Sequence, residues 1–161
     1  MKITLTGKVY QISSVQRLPI DNKTAWEFFS NPKNLASITP DKLNFRIISG
    51  ANEKIYAGQI IQYKVNPFPI YTSLWVTEIS QVEEGSYFID EQRYGPYDFW
   101  HHKHFFKAIP GGTEIRDVVD FKVPFGWLGR NLLKGLIKRE LKEIFTYRNN
   151  KLTELFGTYT Q

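Results

Sequence analysis

The sequence predicts one α+β domain over residues 1–161, with a seven-stranded antiparallel sheet curved around a long C-terminal helix. Between residues 43 and 123, short segments of alternating apolar and polar residues are separated by turn sequences, which is typical of an antiparallel meander. After Pro124 the apolar residues recur at three- and four-residue spacing, which indicates an amphipathic helix. Because the sheet and the helix each have one apolar face, we expect them to pack against each other.

The elements follow in a distinctive order that begins with one strand and two short helices. The first strand is predicted at Tyr10–Leu18. Asp21 is suited to cap a helix over 22–29, and Asn31-Pro32 begins a second short helix that ends by Thr39-Pro40. Six further strands are predicted. Four cover residues 43–49, 59–65, 70–82 and 86–93. The fifth contains the histidines and lies between turns at 94–96 and 109–112, and the sixth covers residues 113–123. Residues 66–69 are predicted as a turn, since proline cannot donate to a strand ladder, and the long helix is predicted from about Trp127 to Phe156.

Composition narrows the function classes. The chain has no cysteine, which excludes disulfides and thiolate metal sites. It lacks a signal-peptide pattern and any apolar run of about 18 residues, so we predict a soluble cytoplasmic protein. Aromatic residues make up 16% of the chain and can line a cavity as well as fill a core. The sequence does not indicate an oligomeric state.

The net charge of +5 is concentrated near the C-terminus, where a basic stripe recurs every four residues: Arg130, Lys134, Lys138 and Lys142. The first interpretation is a solvated helix face. Contact with an anionic membrane surface or an acidic partner is an alternative. No aromatic residues interleave with this stripe, so we predict no nucleic-acid binding.

The most informative strand contains all three histidines, within the stretch Trp100–Phe106. Side chains alternate faces along a strand, so His102 and His104 share one face while His101 and Lys103 share the other. The lysine-bearing face is expected to meet solvent. The two remaining imidazoles are therefore predicted to point inward, between Trp100 and Phe106.

A partner for these histidines is predicted on the last strand. Pairing across the loop at residues 109–112 places His104 opposite Asp117 and His102 opposite Val119. A register shifted by two residues would instead bring Asp117 level with Phe106. Asp90 and Gln92 of the preceding strand have the parity of the same inner face. The predicted ligand-binding residues are the polar patch and the aromatic residues near it: His102, His104, Asp117, Asp90, Gln92, Trp100, Phe106, Phe121 and Trp75.

Three interpretations of this patch stay open. The groups can satisfy one another inside the sheet, anchor the polar head of a ligand, or catalyse proton transfer with His102, His104 and Asp117 as candidates. Mutating His104 to Phe tests the anchoring role. A metal ion held by His102, His104 and Asp117 is a further alternative, but we assign neither a metal nor a cofactor.

The element order resembles the START-like, helix-grip proteins of the SRPBCC superfamily. One bacterial branch, often labelled polyketide cyclase/dehydrase-like or cell division inhibitor, is similar in Gly95-Pro96-Tyr97, Trp100-His101-His102, His104, Phe106, Gly112-Thr113, Asp117 and Pro124-Phe125-Gly126. The resemblance covers nearly the whole chain and implies a cavity between sheet and helix. Such a cavity usually takes an apolar or amphipathic small molecule, so the resemblance implies binding of a small hydrophobic or amphipathic molecule. The superfamily hosts lipid carriers, cyclases, hydratases and co-chaperone domains on one scaffold, so other functions stay open. A cyclase or dehydratase and a protein-interaction module are the alternatives.

Overall fold

Eight antiparallel strands form one sheet in the computed structural model, which describes residues 1–51, 54–68, 71–123 and 134–160. The strands are β1 (Lys2–Thr6), β2 (Val9–Leu18), β3 (Arg46–Ser49), β4 (Gln59–Phe68), β5 (Tyr71–Glu83), β6 (Tyr87–Tyr94), β7 (Phe99–Ile109) and β8 (Gly112–Lys122). Their order across the sheet is β1-β2-β8-β7-β6-β5-β4-β3. The sheet therefore runs in chain order except that β1 and β2 join it beside β8. The predicted α+β class is confirmed, and the predicted number of seven strands is wrong by one.

The strand missing from the prediction is β1 at the sheet edge. It pairs with β2 across a turn at Gly7, whose φ of +61° lies in the left-handed region that glycine favours. Ile3 and Leu5 do alternate with polar residues, but the run is five residues long and only Ile3 is partly buried. A short exposed edge strand carries too few apolar residues for alternation to identify it.

Helices occupy the two predicted regions. α1 (Asn22–Phe29) is followed by two 3₁₀ helices, Pro32–Ile38 and Asp41–Leu43, which come before β3, and α2 (Lys134–Phe156) follows the sheet. Asp21 caps α1 by accepting a hydrogen bond of 2.8 Å from the Thr24 backbone N–H, as its position predicts. α2 ends where Gly157 adopts a φ of +92°. The predicted beginning of the long helix near Trp127 lies outside the described residues.

Two predicted boundaries are wrong for local reasons. β3 begins at Arg46 rather than residue 43, because Asp41–Leu43 forms a 3₁₀ turn that ends in the left-handed Asn44. β4 continues to Phe68 instead of ending before the predicted turn at residues 66–69. The pairing of β4 with β5 shifts between Val65 and Phe68, so Pro67 sits in an irregularity where the ladder needs no donor from it.

α2 covers the sheet with a stripe of residues at helical spacing. Ile137, Leu141 and Phe145 are buried in a cluster with Ile12 and Phe121 of the sheet. A second cluster joins Leu152 at the other end of α2 to Trp26 of α1 and Phe106 of β7. These two clusters hold the helix against the sheet and leave a space between them. Within the described residues, no helix is long and apolar enough to cross a membrane.

Candidate functional site

A cavity of about 200 Å³ lies between α2, the helical segment after β2 and strands β4 to β7. Most of its wall is apolar, and the apolar lining includes Phe28, Phe29, Leu35, Ile38, Leu43, Phe45, Ile55, Ile61, Val65, Trp75, Ile79, Phe88, Trp100, Leu141, Ile144 and Phe145. An engineered cavity of about 150 Å³ is large enough to bind benzene. The space therefore suits an apolar group of at least that size.

Four acidic or basic side chains lie in the described part of this wall. They are Asp90 of β6, His102 and His104 of β7, and Arg148 of α2. The strand register brings the first three together, since Asp90 pairs directly with His102 and Phe88 with His104. Arg148 approaches from the opposite layer. The cavity thus combines an apolar lining with one cluster of charged groups.

The two imidazoles pack against each other between two carboxylates, with their planes tilted by 35°. Their ring centroids are 3.7 Å apart. On one side, Oδ2 of Asp90 lies 2.8 Å from Nε2 of His104 and 3.6 Å from Nδ1 of His102. On the other side, Oδ1 of Asp117 lies 3.2 Å from Nε2 of His102 and 2.9 Å from Nδ1 of His104. The last contact is a close ion pair whose angle is unsuitable for a hydrogen bond.

Burial and charge set different protonation states in this cluster. Burial opposes ionisation of Asp117 and Asp90, but the neighbouring imidazoles outweigh it and hold the pKa of both carboxyls below the ordinary value. Burial and the charge of His104 lower the pKa of His102. Burial would also lower the pKa of His104, but its contacts with Asp117 and Asp90 raise that pKa instead. These directions favour ionised carboxyls, and they favour protonation of His104 over protonation of His102.

Arg148 completes the cluster, and the sequence analysis did not single it out. Its positive charge helps to keep the pKa of Asp90 low, and its guanidinium lies 5.5 Å from the ring centroid of Phe145. Its Nε atom is buried and has no hydrogen-bond partner among the described residues. A signal was present in the sequence, because residue 148 continues the apolar stripe of Leu141, Phe145 and Leu152. A charged residue in such a stripe faces the interior.

Aromatic side chains frame the charged groups. Phe88 stacks on His104 with ring centroids 4.1 Å apart. Trp100 meets the edge of His102, and Trp75 packs edge-on against Trp100 at 5.2 Å. Tyr63 also lines the cavity, where burial and the charge of Asp90 raise the pKa of its phenol. The phenol therefore stays neutral and can donate a hydrogen bond.

The predicted register of the last hairpin is confirmed. His104 lies opposite Asp117 and His102 opposite Val119, although the connecting loop has two residues, Pro110 and Gly111, because Ile109 already pairs with Gly112. His101 lies on the outer face and contacts Glu91, with 2.9 Å between Nδ1 and Oε1. The alternation of side chains along the strand therefore predicted correctly which face of the sheet each of the three histidines occupies.

The predicted site residues divide into four groups. Trp75, Asp90, Trp100, His102 and His104 line the cavity. Asp117 lies behind the imidazoles, outside the lining. Phe106 and Phe121 pack in the two core clusters. Gln92 is bonded to the backbone instead. Its amide N–H donates to the Tyr97 carbonyl, and its amide oxygen accepts from the Tyr97 N–H. These two hydrogen bonds stabilise the turn between β6 and β7.

The basic stripe is only partly described. Lys138 lies over the ring of Tyr10, with 4.9 Å between Nζ and the ring centroid. Arg130 and the side chain of Lys134 lie outside the described residues. A separate lysine, Lys42, bonds to both Glu140 and Glu143 at 2.7 and 2.5 Å. This bridge ties the short helix before β3 to α2, beside the cavity.

No protein-family model matches the chain, and no curated protein matches it. Solved structures do match. A START superfamily protein from Mycobacterium smegmatis has a TM-score of 0.66 at 12% identity, covering 90% of this chain and 98% of its own. This chain has the START-like helix-grip fold.

Two further structures extend the START-like comparison. Ginseng major latex-like protein 151 from Panax ginseng has a TM-score of 0.68 at 10% identity, covering 93% of this chain and 99% of its own. A protein from Chromobacterium violaceum has a TM-score of 0.69 at 10% identity, covering 92% and 99%. Coverage is nearly complete in both directions, so the START-like fold accounts for the whole domain. At these identities the likeness concerns the fold alone.

Proposed function

We propose that this protein binds a small amphipathic molecule in the cavity between sheet and helix. The observation that supports this most directly is the distribution of polarity in the wall, which is mostly apolar and has its charged groups in one cluster, Asp90, His102, His104 and Arg148. Pockets for small molecules typically combine an apolar lining with a few convergent polar groups. The START-like fold is consistent with this use but does not identify the ligand.

The charged cluster suggests which ligand head would fit. The buried Nε of Arg148 can donate a hydrogen bond and has no acceptor among the described residues, and His104, whose pKa is raised by its contacts with Asp117 and Asp90, is also a donor when it is protonated. Both features favour a ligand that carries an acceptor oxygen, such as a carboxylate or a phenol. The body of the ligand would lie against Phe28, Phe29 and Leu35, which are apolar. A lipid fragment and a substituted aromatic acid both have this character.

Filling the cavity tests the proposal. Ile144→Trp on α2 adds bulk to a lining residue, so we expect affinity for anilinonaphthalene sulfonate, a fluorescent molecule with an apolar body and an anionic head, to fall at least about tenfold, or 1.4 kcal/mol. Leu155→Trp adds the same side chain to α2 at an exposed position and should bind the probe like the wild type. Equal affinity in the two variants would place the probe elsewhere. If the cavity variant does lose affinity, mass spectrometry of protein purified from its own host would identify the natural ligand.

An enzymatic alternative uses the same cavity. A cyclase or dehydratase needs an acid or base beside an apolar substrate, and His104 bonded to Asp90 at the cavity wall supplies one. We expect His104→Asn to abolish turnover of a candidate polyketide while leaving bound probe measurable, whereas His101→Asn on the outer face should keep full turnover. Undiminished turnover in His104→Asn would exclude this chemistry. A protein-interaction role would be favoured by a cavity filled with its own side chains, and the volume of about 200 Å³ argues against it.

A further inference from the structure

Three metal-ligating groups converge at the polar end of the cavity. Asp90, His102 and His104 each present one donor atom, and all three atoms lie within 4.8 Å of one another. Oδ2 of Asp90 is 2.8 Å from Nε2 of His104 and 3.6 Å from Nδ1 of His102. A tetrahedral zinc ion with bonds of about 2.0–2.2 Å holds its ligand atoms roughly 3.3–3.5 Å apart. The observed spacings bracket that value, so small side-chain movements would complete the site.

The far side of each imidazole supplies a second, independent argument. Metal-bound histidines almost always donate their other ring N–H to a carboxylate, carbonyl or water, which fixes the orientation of the ring. Here Nε2 of His102 is hydrogen-bonded to Oδ1 of the buried Asp117 at 3.2 Å, and Nδ1 of His104 lies 2.9 Å from the same oxygen as a close ion pair. The remaining nitrogens are the two that approach Asp90. One carboxylate therefore contacts both rings from behind, and the other joins them as a third donor.

We propose that Asp90, His102 and His104 bind a divalent transition-metal ion of the zinc type, with Asp117 as the residue that positions both imidazoles. Two histidines and one carboxylate leave at least one coordination position open. All three donors line the cavity, so that position would face its interior. The sequence analysis considered Asp117 as the third ligand, but the strand register gives that place to Asp90.

The metal also fits the charge of the surroundings. Two buried carboxylates need positive charge between them, and in the metal-free protein the imidazoles and Arg148 provide it. A bound divalent ion would supply positive charge at the same place, between the two carboxylates. The proposal goes beyond ligand binding in the cavity and does not depend on it.

Cobalt spectroscopy tests the site without any organic ligand. Tag-free protein is stripped with a chelator, dialysed and titrated with Co²⁺, whose visible absorption distinguishes a four- or five-coordinate protein site from the hydrated ion. We expect one Co²⁺ per chain with strong visible absorption, displaced by one equivalent of Zn²⁺. Asp90→Asn and His104→Gln should abolish the absorption. Asp117→Asn should weaken Zn²⁺ affinity by roughly 10–100-fold.

His101→Ala is the matched control, since His101 lies on the same strand but on the outer face with Glu91. It should leave the cobalt spectrum and the Zn²⁺ affinity unchanged. If wild-type protein gives only the spectrum of hydrated Co²⁺, or if His101→Ala removes binding, the proposal is overturned. The wild-type spectrum decides the matter even if a cavity variant fails to fold. Probe binding measured in chelator reports separately on the proposed ligand function, so the two can fail independently.

Discussion

Asp117→Ala should lower the free energy of unfolding by about 3–5 kcal/mol, which is the usual cost of removing one member of a buried ion pair. Asp117 is buried, and its Oδ1 lies within 3.2 Å of a nitrogen from each of His102 and His104. Without it, His102 loses its hydrogen-bond acceptor, and His104 loses one of the two carboxylates that raise its pKa. Urea unfolding in the presence of a chelator measures the change without a contribution from metal.

Asp120→Ala is the matched control for this prediction. Asp120 lies three residues further along β8, on the outer face, where it bonds to Lys103 at 2.7 Å and to Gln11 at 2.8 Å. Ion pairs at the surface contribute about 0–1 kcal/mol, so this variant should stay within about 1 kcal/mol of the wild type. If the two variants were destabilised equally, the buried cluster would have no special role in stability.

Phe121→Ala should be destabilising by about 3–5 kcal/mol for a different reason, the loss of a large side chain from a close-packed core. Phe121 is completely buried, stacks on Tyr10 with centroids 5.4 Å apart, and contacts Tyr97 and Trp100. The sequence analysis placed it among the ligand-binding residues, whereas its observed position is behind the cavity wall. We therefore expect the folded variant to bind the fluorescent probe with nearly wild-type affinity.

Phe105→Ala provides the comparison on the outer face of the sheet. Its side chain is 37% exposed, so truncation should cost less than about 1 kcal/mol. Thermal unfolding and probe titration of both variants separate a stability role from a binding role. If folded Phe121→Ala lost affinity for the probe, Phe121 would be a binding residue after all, as the sequence analysis predicted.

Local sequence patterns were sufficient to predict the positions of several site residues. Strand alternation distinguished His102 and His104 from His101, and a tight connection at Pro110-Gly111 fixed their register against Asp117. These features depend only on neighbouring residues in one hairpin. For the same reason the helix over 22–29, with its capping Asp21, was predicted correctly.

The features that were missed depend on contacts between distant segments. Arg148 reaches the cluster only because α2 lies across the sheet, and its place in the apolar stripe does not say which strands it meets. Gln92 has the parity of Asp90, but the backbone of Tyr97 folds back and engages its amide. Asp90 was predicted on the inner face, but its contact with His104 depends on how β6 pairs with β7. No hydrophobic pattern in the sequence encodes these particular pairings.

The pairing of β2 with β8 has a consequence for how the chain acquires its structure. β2 ends at Leu18, yet its partner begins at Gly112, so the contact closes a loop of more than ninety residues before it contributes any stability. Folds dominated by such remote pairings form slowly, in milliseconds to seconds. During synthesis, the edge of β2 that pairs with β8 stays without its partner until nearly three quarters of this sequence has left the ribosome. The hairpin of β7 and β8, which carries both inward histidines, is therefore a local unit that can form first and serve as the template on which β2 docks.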